Sequence, residues 1–256
     1  MKIILLLLLS MATMNGYGQP TEESRIPTIN VLLTQYSPSA LIEVKGHFRL
    51  FNPATYALVA TDWTNRREIV RPSSKGLIFG DLFPGVHKIQ ILPTDRNGTI
   101  LINGIQYNGI IEVEESFGAL QIVNIVDTEN YIRSILTTHF PSRQERSLAQ
   151  TLAIVARTEA YYLIAHQGNV PWHVKAEAVG YNGCSTFLHN PIIDQSVVKT
   201  RGQILTRLGR PFATSWNRSE GNGIRLTAAA TMAHQGDSPV KILKNFYPEA
   251  ELKECR

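Results

Sequence analysis

The chain changes from strand to helix within Ala119-Leu120-Gln121-Ile122-Val123-Asn124-Ile125-Val126-Asp127-Thr128-Glu129-Asn130-Tyr131-Ile132. The first part of this stretch has the continuous apolar character of a buried strand. From Asp127 onward the apolar residues recur at helical spacing, on a stripe made of Tyr131, Ile132, Ile135 and Leu136. Asp127 or Thr128 can serve as the N-cap, and Pro141 closes the segment. The stretch therefore predicts a strand that runs directly into a first helix.

A second helix is predicted immediately after Pro141. Ser142 and Glu145 stand three residues apart, which is the pattern of a capping box. The apolar residues that follow keep helical spacing as far as Gly168, on a face made of Leu148, Leu152, Val155 and Leu163. Two adjacent helices are therefore expected after the strand.

Upstream of this point, residues 26–126 are predicted to form strands. Their apolar residues occur in short continuous or alternating runs at 31–33, 41–44, 47–51, 77–79, 88–92, 110–113 and 120–123. Tight hairpin turns need residues with positive φ, which are supplied by Asn97-Gly98, Asn103-Gly104 and Asn108-Gly109. We therefore expect an antiparallel meander over residues 87–126.

Downstream, residues 169–256 are mixed and less periodic. Strands are expected at Gly202–Thr206 and at Phe212–Thr214, and a last helix is expected over Leu226–Gln235. No linker rich in Pro, Gly or Ser separates the two halves of the chain. The predicted fold class is α+β, in which a strand-rich N-terminal half packs against a core with two adjacent helices and further strands.

The first 18 residues have the pattern of a secretory signal peptide. One positive charge, Lys2, precedes an apolar run that ends at Leu9, and small residues lead up to a cleavage site near Gly18. A buried N-terminal helix is the alternative interpretation. No later segment is apolar enough to span a bilayer. We expect export to the periplasm or cell envelope, with no transmembrane segment after cleavage.

The charge of the chain is too small to indicate nucleic acid as a partner. The formal net charge is +4, and loss of Lys2 with the signal peptide lowers it by one. Six basic residues fall in one stretch where Glu220 is the only acid: Lys199, Arg201, Arg207, Arg210, Arg218 and Arg225. This stretch could suit an anionic polymer or could simply be a solvated basic face.

The two cysteines, Cys184 and Cys255, permit one disulfide in an exported protein. Whether the two thiols approach closely enough is a matter of geometry.

Several motifs, in order along some 220 residues, resemble the stage II sporulation protein D (SpoIID/LytB) family. Residues 119–132 are similar to its strand ending in IVN and the LEDYL helix that follows. Residues 103–109 resemble VNGKPYRG, residues 148–160 carry the Ala156-Arg157-Thr158 of AQAVAARTYA, and residues 199–205 resemble KTRGQVL. The end of the chain, residues 232–248, looks like the closing MA-x-QG and ILKYYYPG.

This resemblance implies the domain organisation and the partners. It divides the chain into a signal peptide (1–18), a strand-rich N-terminal part (27–118) and a SpoIID/LytB core (119–256). Family members are lytic transglycosylases that act on glycan strands whose stem peptides an amidase has removed, during wall remodelling, division or sporulation. The LytB branch enhances amidase action. The chain resembles the short chlamydia-type members, and its implied partners are peptidoglycan glycan strands and an N-acetylmuramoyl-L-alanine amidase. No cofactor is implied.

The catalytic position departs from the family pattern. The family places a glutamate in an E-M-P turn after the first helix, whereas this chain has His139-Phe140-Pro141. A lytic transglycosylase needs one carboxyl group that donates a proton, stabilises an oxocarbenium-like transition state and then accepts a proton. Histidine can transfer protons near neutral pH but offers no negative charge to a developing cation. His139 is the candidate catalytic residue by position alone.

The resemblance also gives four candidate substrate-binding residues: Arg157, Tyr181, Asn222 and Thr227. Arg157 is retained from the family motif, although a paired structural arginine is an equally ordinary role for it. Asn222 replaces the histidine of a GHG motif, and Thr227 begins the segment that replaces SQ-x-GA. His173, Cys184 and His189 match no usual ligand spacing. We therefore predict no metal.

Glu159 stands where the family has tyrosine, and helical spacing places it among apolar residues. A displaced catalytic acid and a salt-bridged or half-exposed glutamate are both compatible with this position.

Three functions are compatible with the sequence. The protein could cleave denuded glycan with His139 or a relocated acid. It could instead be a glycan-binding or amidase-enhancing module that has lost the chemistry, or a structural envelope protein without glycan affinity.

Overall fold

The computed structural model describes residues 26–95, 98–140, 145–184, 190–215 and 223–255. The strands in this part of the chain are β1 Thr28–Ser37, β2 Ala40–Asn52, β3 Ala57–Arg71, β4 Ile78–Phe79, β5 Asp81–Leu82, β6 Lys88–Pro93, β7 Thr99–Ile102, β8 Ile105–Tyr107, β9 Ile110–Ser116, β10 Ala119–Asp127, β11 Val174–Lys175, β12 Gln203–Thr206 and β13 Glu251–Glu254. The helices are α1 Thr128–His139, α2 Arg146–Ala165, α3 Ala176–Val179, α4 Pro191–Lys199, α5 Leu226–His234 and α6 Pro239–Phe246. The α+β fold class is confirmed.

A single large sheet joins the strand-rich half to the helical half. Its main path runs β11-β1-β10-β9-β6-β2-β3-β4-β5, and β7 and β8 branch from β2. β10 pairs on one side with β1 and on the other with β9, so the sheet continues across the boundary predicted at residues 118 and 119. A separate two-stranded sheet pairs β12 with β13.

The strand-to-helix change at residue 127 is confirmed. The side chain of Asp127 caps α1, and its Oδ1 accepts a hydrogen bond of 2.9 Å from the amide of Asn130. Helices α1 and α2 bury a continuous apolar face against β1 and β10, and their core residues include Ile132, Leu136, Leu152 and Val155. The end of α1 is thereby held at a defined point beside the sheet.

The predicted meander over residues 87–126 is wrong at two connections, because β6 does not pair with β7 and β8 does not pair with β9. β6 and β7 do not pair with each other, because both pair antiparallel with β2, which at 13 residues is long enough to accept them end to end. β6 and β7 therefore run in the same direction, so they do not form a hairpin. Asn97 of the predicted Asn97-Gly98 turn lies outside the described residues.

Two hairpins in the region are tight two-residue turns. Asn103 and Gly104, with φ of 50° and 85°, connect β7 to β8 as expected. Phe117 and Gly118, with φ of 53° and 76°, connect β9 to β10, although phenylalanine gave no signal for such a turn. Gly109 is not in a hairpin, but a Cβ there would lie 2.3 Å from the carbonyl oxygen of Ile125.

Several boundaries in the helical half differ from the expectations. α2 begins at Arg146 with Glu145 as its N-cap and without a side-chain cap, so the capping-box start was three residues too early; Ser142 lies outside the described residues. Residues 212–214 are not a strand, whereas 203–206 and the helix from Leu226 are confirmed. The elements that were not predicted are β3, β5, β11, β13, α3, α4 and α6.

The predicted signal peptide lies outside the described residues. Among the residues that are described, no helix has both the length and the apolar composition needed to cross a bilayer. Cys184 and Cys255 are free thiols, so the disulfide that two cysteines permitted is not formed.

Candidate functional site

His139 is the last residue of α1, and its side chain is exposed. Its Nε2 lies 3.0 Å from the carbonyl oxygen of Val179, at the end of α3. Because a carbonyl oxygen can only accept, Nε2 must carry the hydrogen, and Nδ1 is then the basic nitrogen of the neutral ring. The ring is thus oriented by a backbone atom of a segment 40 residues away in sequence.

The residue after Val179 leaves space for the imidazole ring. Gly180 adopts φ of 64°, and a Cβ at this position would lie 2.9 Å from His139 Nε2. A side chain here would therefore be strained by the backbone conformation and would also press on the ring.

Residues 176–184, which we call the α3 segment, are fixed from three sides. The hydroxyl of Tyr181 donates to Asn124 Oδ1 on β10, and the amide of Asn182 donates to Ser134 Oγ on α1 at 3.3 Å. The amide of Cys184 donates to the carbonyl oxygen of Gln106 at 2.7 Å. The contact between His139 and Val179 is therefore set by the sheet and by α1 together.

Tyr181 is an interior residue of this structure. Its side chain is 6% exposed, and its ring stacks on Tyr131 with a centroid distance of 5.7 Å. Burial raises the pKa of Tyr181 well above its ordinary value, so the hydroxyl remains a hydrogen-bond donor to Asn124. Tyr181 anchors the α3 segment, and its predicted contact with substrate stays a prediction.

A further residue holds the end of α1. The side-chain Nδ2 of Asn190 donates to the carbonyl oxygen of Phe140 at 3.0 Å, while its Oδ1 caps α4. Sequence reasoning missed Asn190, although an asparagine directly before Pro191 is a recognisable helix start.

Arg157 is completely buried, and all five of its N–H groups are used within the protein. Nε and Nη2 donate to the two carboxylate oxygens of Glu129, each at 2.7 Å. The remaining donors reach α4 and β12 at 3.2–3.3 Å, through Val197 O, Thr200 Oγ1 and Gln203 O. With 0% exposure, the side chain offers no surface to a ligand in this conformation, and it acts as a paired structural arginine.

Helix α2 packs against α1 and β12, and α1 contacts the α3 segment. The family model of stage II sporulation protein SpoIID matches residues 116–207. Residues 116–207 belong to the SpoIID family. The matched range begins at the last residue of β9 and ends just after β12. It therefore contains His139, Arg157 and Tyr181, and the family assignment supports a role related to the cell wall.

Proteins similar to this chain occur in Chlamydia and Brachyspira. An uncharacterised protein of Chlamydia pneumoniae is 33% identical over 61% of this chain and 58% of its own length. An uncharacterised protein of Chlamydia muridarum is 27% identical over 88% of this chain and 77% of its own. A third, from Brachyspira hyodysenteriae, is 26% identical over 73% and 50%. The chain thus spans little more than half of the first of these relatives. No solved structure matches it.

The remaining predicted residues lie beyond the matched SpoIID range. Thr227 is exposed in the first turn of α5, and Asn222 lies outside the described residues. Their substrate contacts stay predictions.

Glu159 is half buried and accepts a hydrogen bond from the backbone amide of Thr214, whose hydroxyl donates to the carbonyl oxygen of Val155 at 2.9 Å. This arrangement matches the half-exposed alternative for Glu159. The SpoIID domain therefore already uses this carboxylate to hold residues after β12 against α2.

The proposed absence of a metal also stays a prediction. Within the described part of the chain, no three His, Cys, Asp or Glu side chains are grouped as metal ligands. The Nδ1 of His173 accepts from the amide of Asn30 at 2.8 Å, and burial raises the pKa of Cys184 to about 11. His189 lies outside the described residues.

Proposed function

We propose that this protein is an exported, SpoIID-type protein that binds the glycan strands of peptidoglycan in the periplasm or cell envelope. The observation that carries the proposal is the side chain of His139, which occupies the family's catalytic position and whose Nε2 donates to Val179 O. The family assignment of residues 116–207 supports the cell-wall context, and the signal-peptide pattern of residues 1–18 supports export.

Binding is favoured over cleavage for an electrostatic reason. A glycosidic bond breaks through a transition state with positive charge on the sugar ring, and preorganised negative charge is a main source of stabilisation. The imidazole of His139 carries no negative charge in either protonation state, and its protonated form would repel the developing cation. One of its nitrogens is also engaged with a backbone carbonyl.

A lytic transglycosylase is the second candidate. The exposure of His139 and the hydrogen bond at Nε2 favour it, because they hold an imidazole ring, which can donate and accept protons, in one orientation at an exposed position. An amidase that removes stem peptides is the proposed partner under either candidate, since it would prepare the denuded strand.

Binding and cleavage can be separated on the same substrate. Purified protein lacking residues 1–18 is incubated with amidase-treated and untreated sacculi, and both the bound protein and the soluble anhydro-muropeptides are measured. We expect stronger retention on the treated sacculi and no anhydro product. Equal and negligible retention on both would refute glycan binding. Anhydro product above the background of a heat-denatured control would support the transglycosylase.

A further inference from the structure

A polar cavity of about 200 Å³ lies between β1 and the start of the α3 segment. It is lined by Leu32, Leu33, Thr34 and Gln35 of β1, by Lys175 at the end of β11, and by Glu177 of α3. Residue 175 is the N-cap of α3, and Val179, whose carbonyl oxygen contacts His139, ends the same helix. One turn of helix therefore connects the cavity to the candidate site.

The β1 strand is irregular where it lines the cavity. Its pairing with β10 loses register between Leu32 and Thr34 and again between Thr34 and Ser37. Its other edge pairs with β11 only at Val31 and Leu32. Bulges of this kind turn side chains out of the alternation of a sheet and occur often beside binding sites.

Tyr36 lies within the second irregularity of β1, between Thr34 and Ser37. It adopts φ of 60°, which is unusual for a bulky residue, and its side chain is 72% exposed. A strained backbone that places an aromatic ring in solvent, one residue after Gln35 of the cavity lining, is a feature that folding stability does not explain.

We propose that this cavity and Tyr36 form a sugar-binding subsite for the glycan strand, an inference that rests on the proposed function. The carboxylate of Glu177, the amide of Gln35 and the hydroxyl of Thr34 supply the donors and acceptors that sugar hydroxyl and acetamido groups require. The ring of Tyr36 supplies a flat apolar face for the C–H face of a pyranose.

The chemistry and size of the cavity favour one ring of a polymer. Drug-sized ligands occupy cavities of about 300–1,000 Å³ that are mostly apolar, whereas this one is smaller and polar. Lys175 and Glu177 carry opposite charges, so the subsite has no net charge to select a strongly anionic ligand.

The test uses the two products of one amidase digestion, soluble glycan strands and free stem peptides, as separate probes. We expect the wild-type protein to bind the glycan, and Tyr36→Ala and Glu177→Ala to weaken that binding about three- to tenfold. Tyr56→Ala is the matched control, because Tyr56 is also strained (φ 55°) and exposed (88%) but lies in the turn between β2 and β3. It should bind as the wild type does.

The binding measurements distinguish a failure of the proposed function from a failure of the subsite alone. Wild-type protein that binds no glycan refutes the proposed function and the subsite together. Glycan binding that is unchanged in Tyr36→Ala and Glu177→Ala refutes the subsite alone. Binding of the stem peptides that is lost in Tyr36→Ala shows a peptide site instead. As a check that needs no substitution, the side-chain amide resonances of Gln35 should shift when glycan is added, and unshifted resonances overturn the proposal.

Discussion

Arg157 on α2 and Glu129 on α1 form a buried bidentate ion pair, with Nε–Oε1 and Nη2–Oε2 distances of 2.7 Å each. The same guanidinium bonds to two carbonyl oxygens and a hydroxyl of the segment from Val197 to Gln203. Thr158, the next residue, accepts from the amide of Leu205 at 2.8 Å. Two sequence motifs that resemble the family, one in α2 and one at residues 199–205, therefore hold each other in place.

Replacing the buried arginine should be severely destabilising. Arg157→Met leaves the Glu129 carboxylate buried without its partner, and we expect a loss of about 3–5 kcal/mol in the free energy of unfolding. Urea denaturation measures it. Arg133→Met is the matched control, because its pair with Asp194 (2.9 Å) is about one-third exposed and should cost under about 1 kcal/mol. Similar losses in the two variants would contradict the structural role of Arg157.

The residue at position 139 should control glycan cleavage. His139→Glu introduces a carboxyl group that can donate a proton, stabilise positive charge and accept a proton, so anhydro-product formation should rise above that of the wild type. The carbonyl oxygen of Val179 repels this carboxylate and directs it away from α3. His139→Gln, similar in shape but uncharged, is the control and should remain inactive. Mass spectrometry of soluble muropeptides is the measurement.

Glycan cleavage by the wild-type protein that depends on His139 would be the opposite outcome. If wild-type protein forms anhydro product and His139→Ala lowers the rate by about two to four orders of magnitude, then imidazole is the working acid–base group. The binding-only proposal would then be wrong.

Substitution of Gly180 should disturb His139 without a large additional loss of stability. Gly180→Ala and Gly236→Ala both place a Cβ on a left-handed backbone, with φ of 64° and 86°, at a cost of roughly 1–2 kcal/mol each. Only the Cβ at 180 meets another group, the far end of the His139 ring, which can move. We expect similar melting temperatures for the two variants but shifted His139 ring resonances in Gly180→Ala alone. Unshifted resonances would contradict the close packing of Gly180 on the ring.

Acid should weaken the contact between His173 and β1. Burial lowers the pKa of His173 from its ordinary value of about 6.5, and its Nδ1 accepts a hydrogen bond from the amide of Asn30. Because the unfolded chain binds the proton more readily, this contribution to stability is fully present above the unfolded pKa. It is lost as the pH falls through the window below that value.

The measurement is the melting temperature as a function of pH. His173→Asn keeps an acceptor near the Asn30 amide but cannot titrate, so its melting temperature should fall less than that of the wild type between pH 7.5 and pH 5. Parallel profiles for the two proteins would show that His173 makes no such contribution.

The local sequence pattern was sufficient to predict much of the fold and the position of one residue of the candidate site, His139. Interactions between residues close in sequence determine three of the correctly predicted features. These are the change from strand to helix at Asp127, the Asn103-Gly104 turn and the strand at 203–206. The resemblance to the SpoIID family also depended on short motifs, and it placed His139 at the end of α1. β3 was missed because its residues 64–68 are polar or charged and follow no apolar alternation.

The tertiary structure alone decided what those residues contact. The pairing of both β6 and β7 with β2, the burial of Arg157 and the inward direction of Tyr181 depend on groups separated by 28 to 57 residues or on strands distant in the chain. Periodicity predicts which face of an element is apolar, but it contains no information on which distant donor or acceptor will satisfy a polar group. The cavity beside Tyr36 arises in the same way, since β1 and the α3 segment meet only after the sheet has formed.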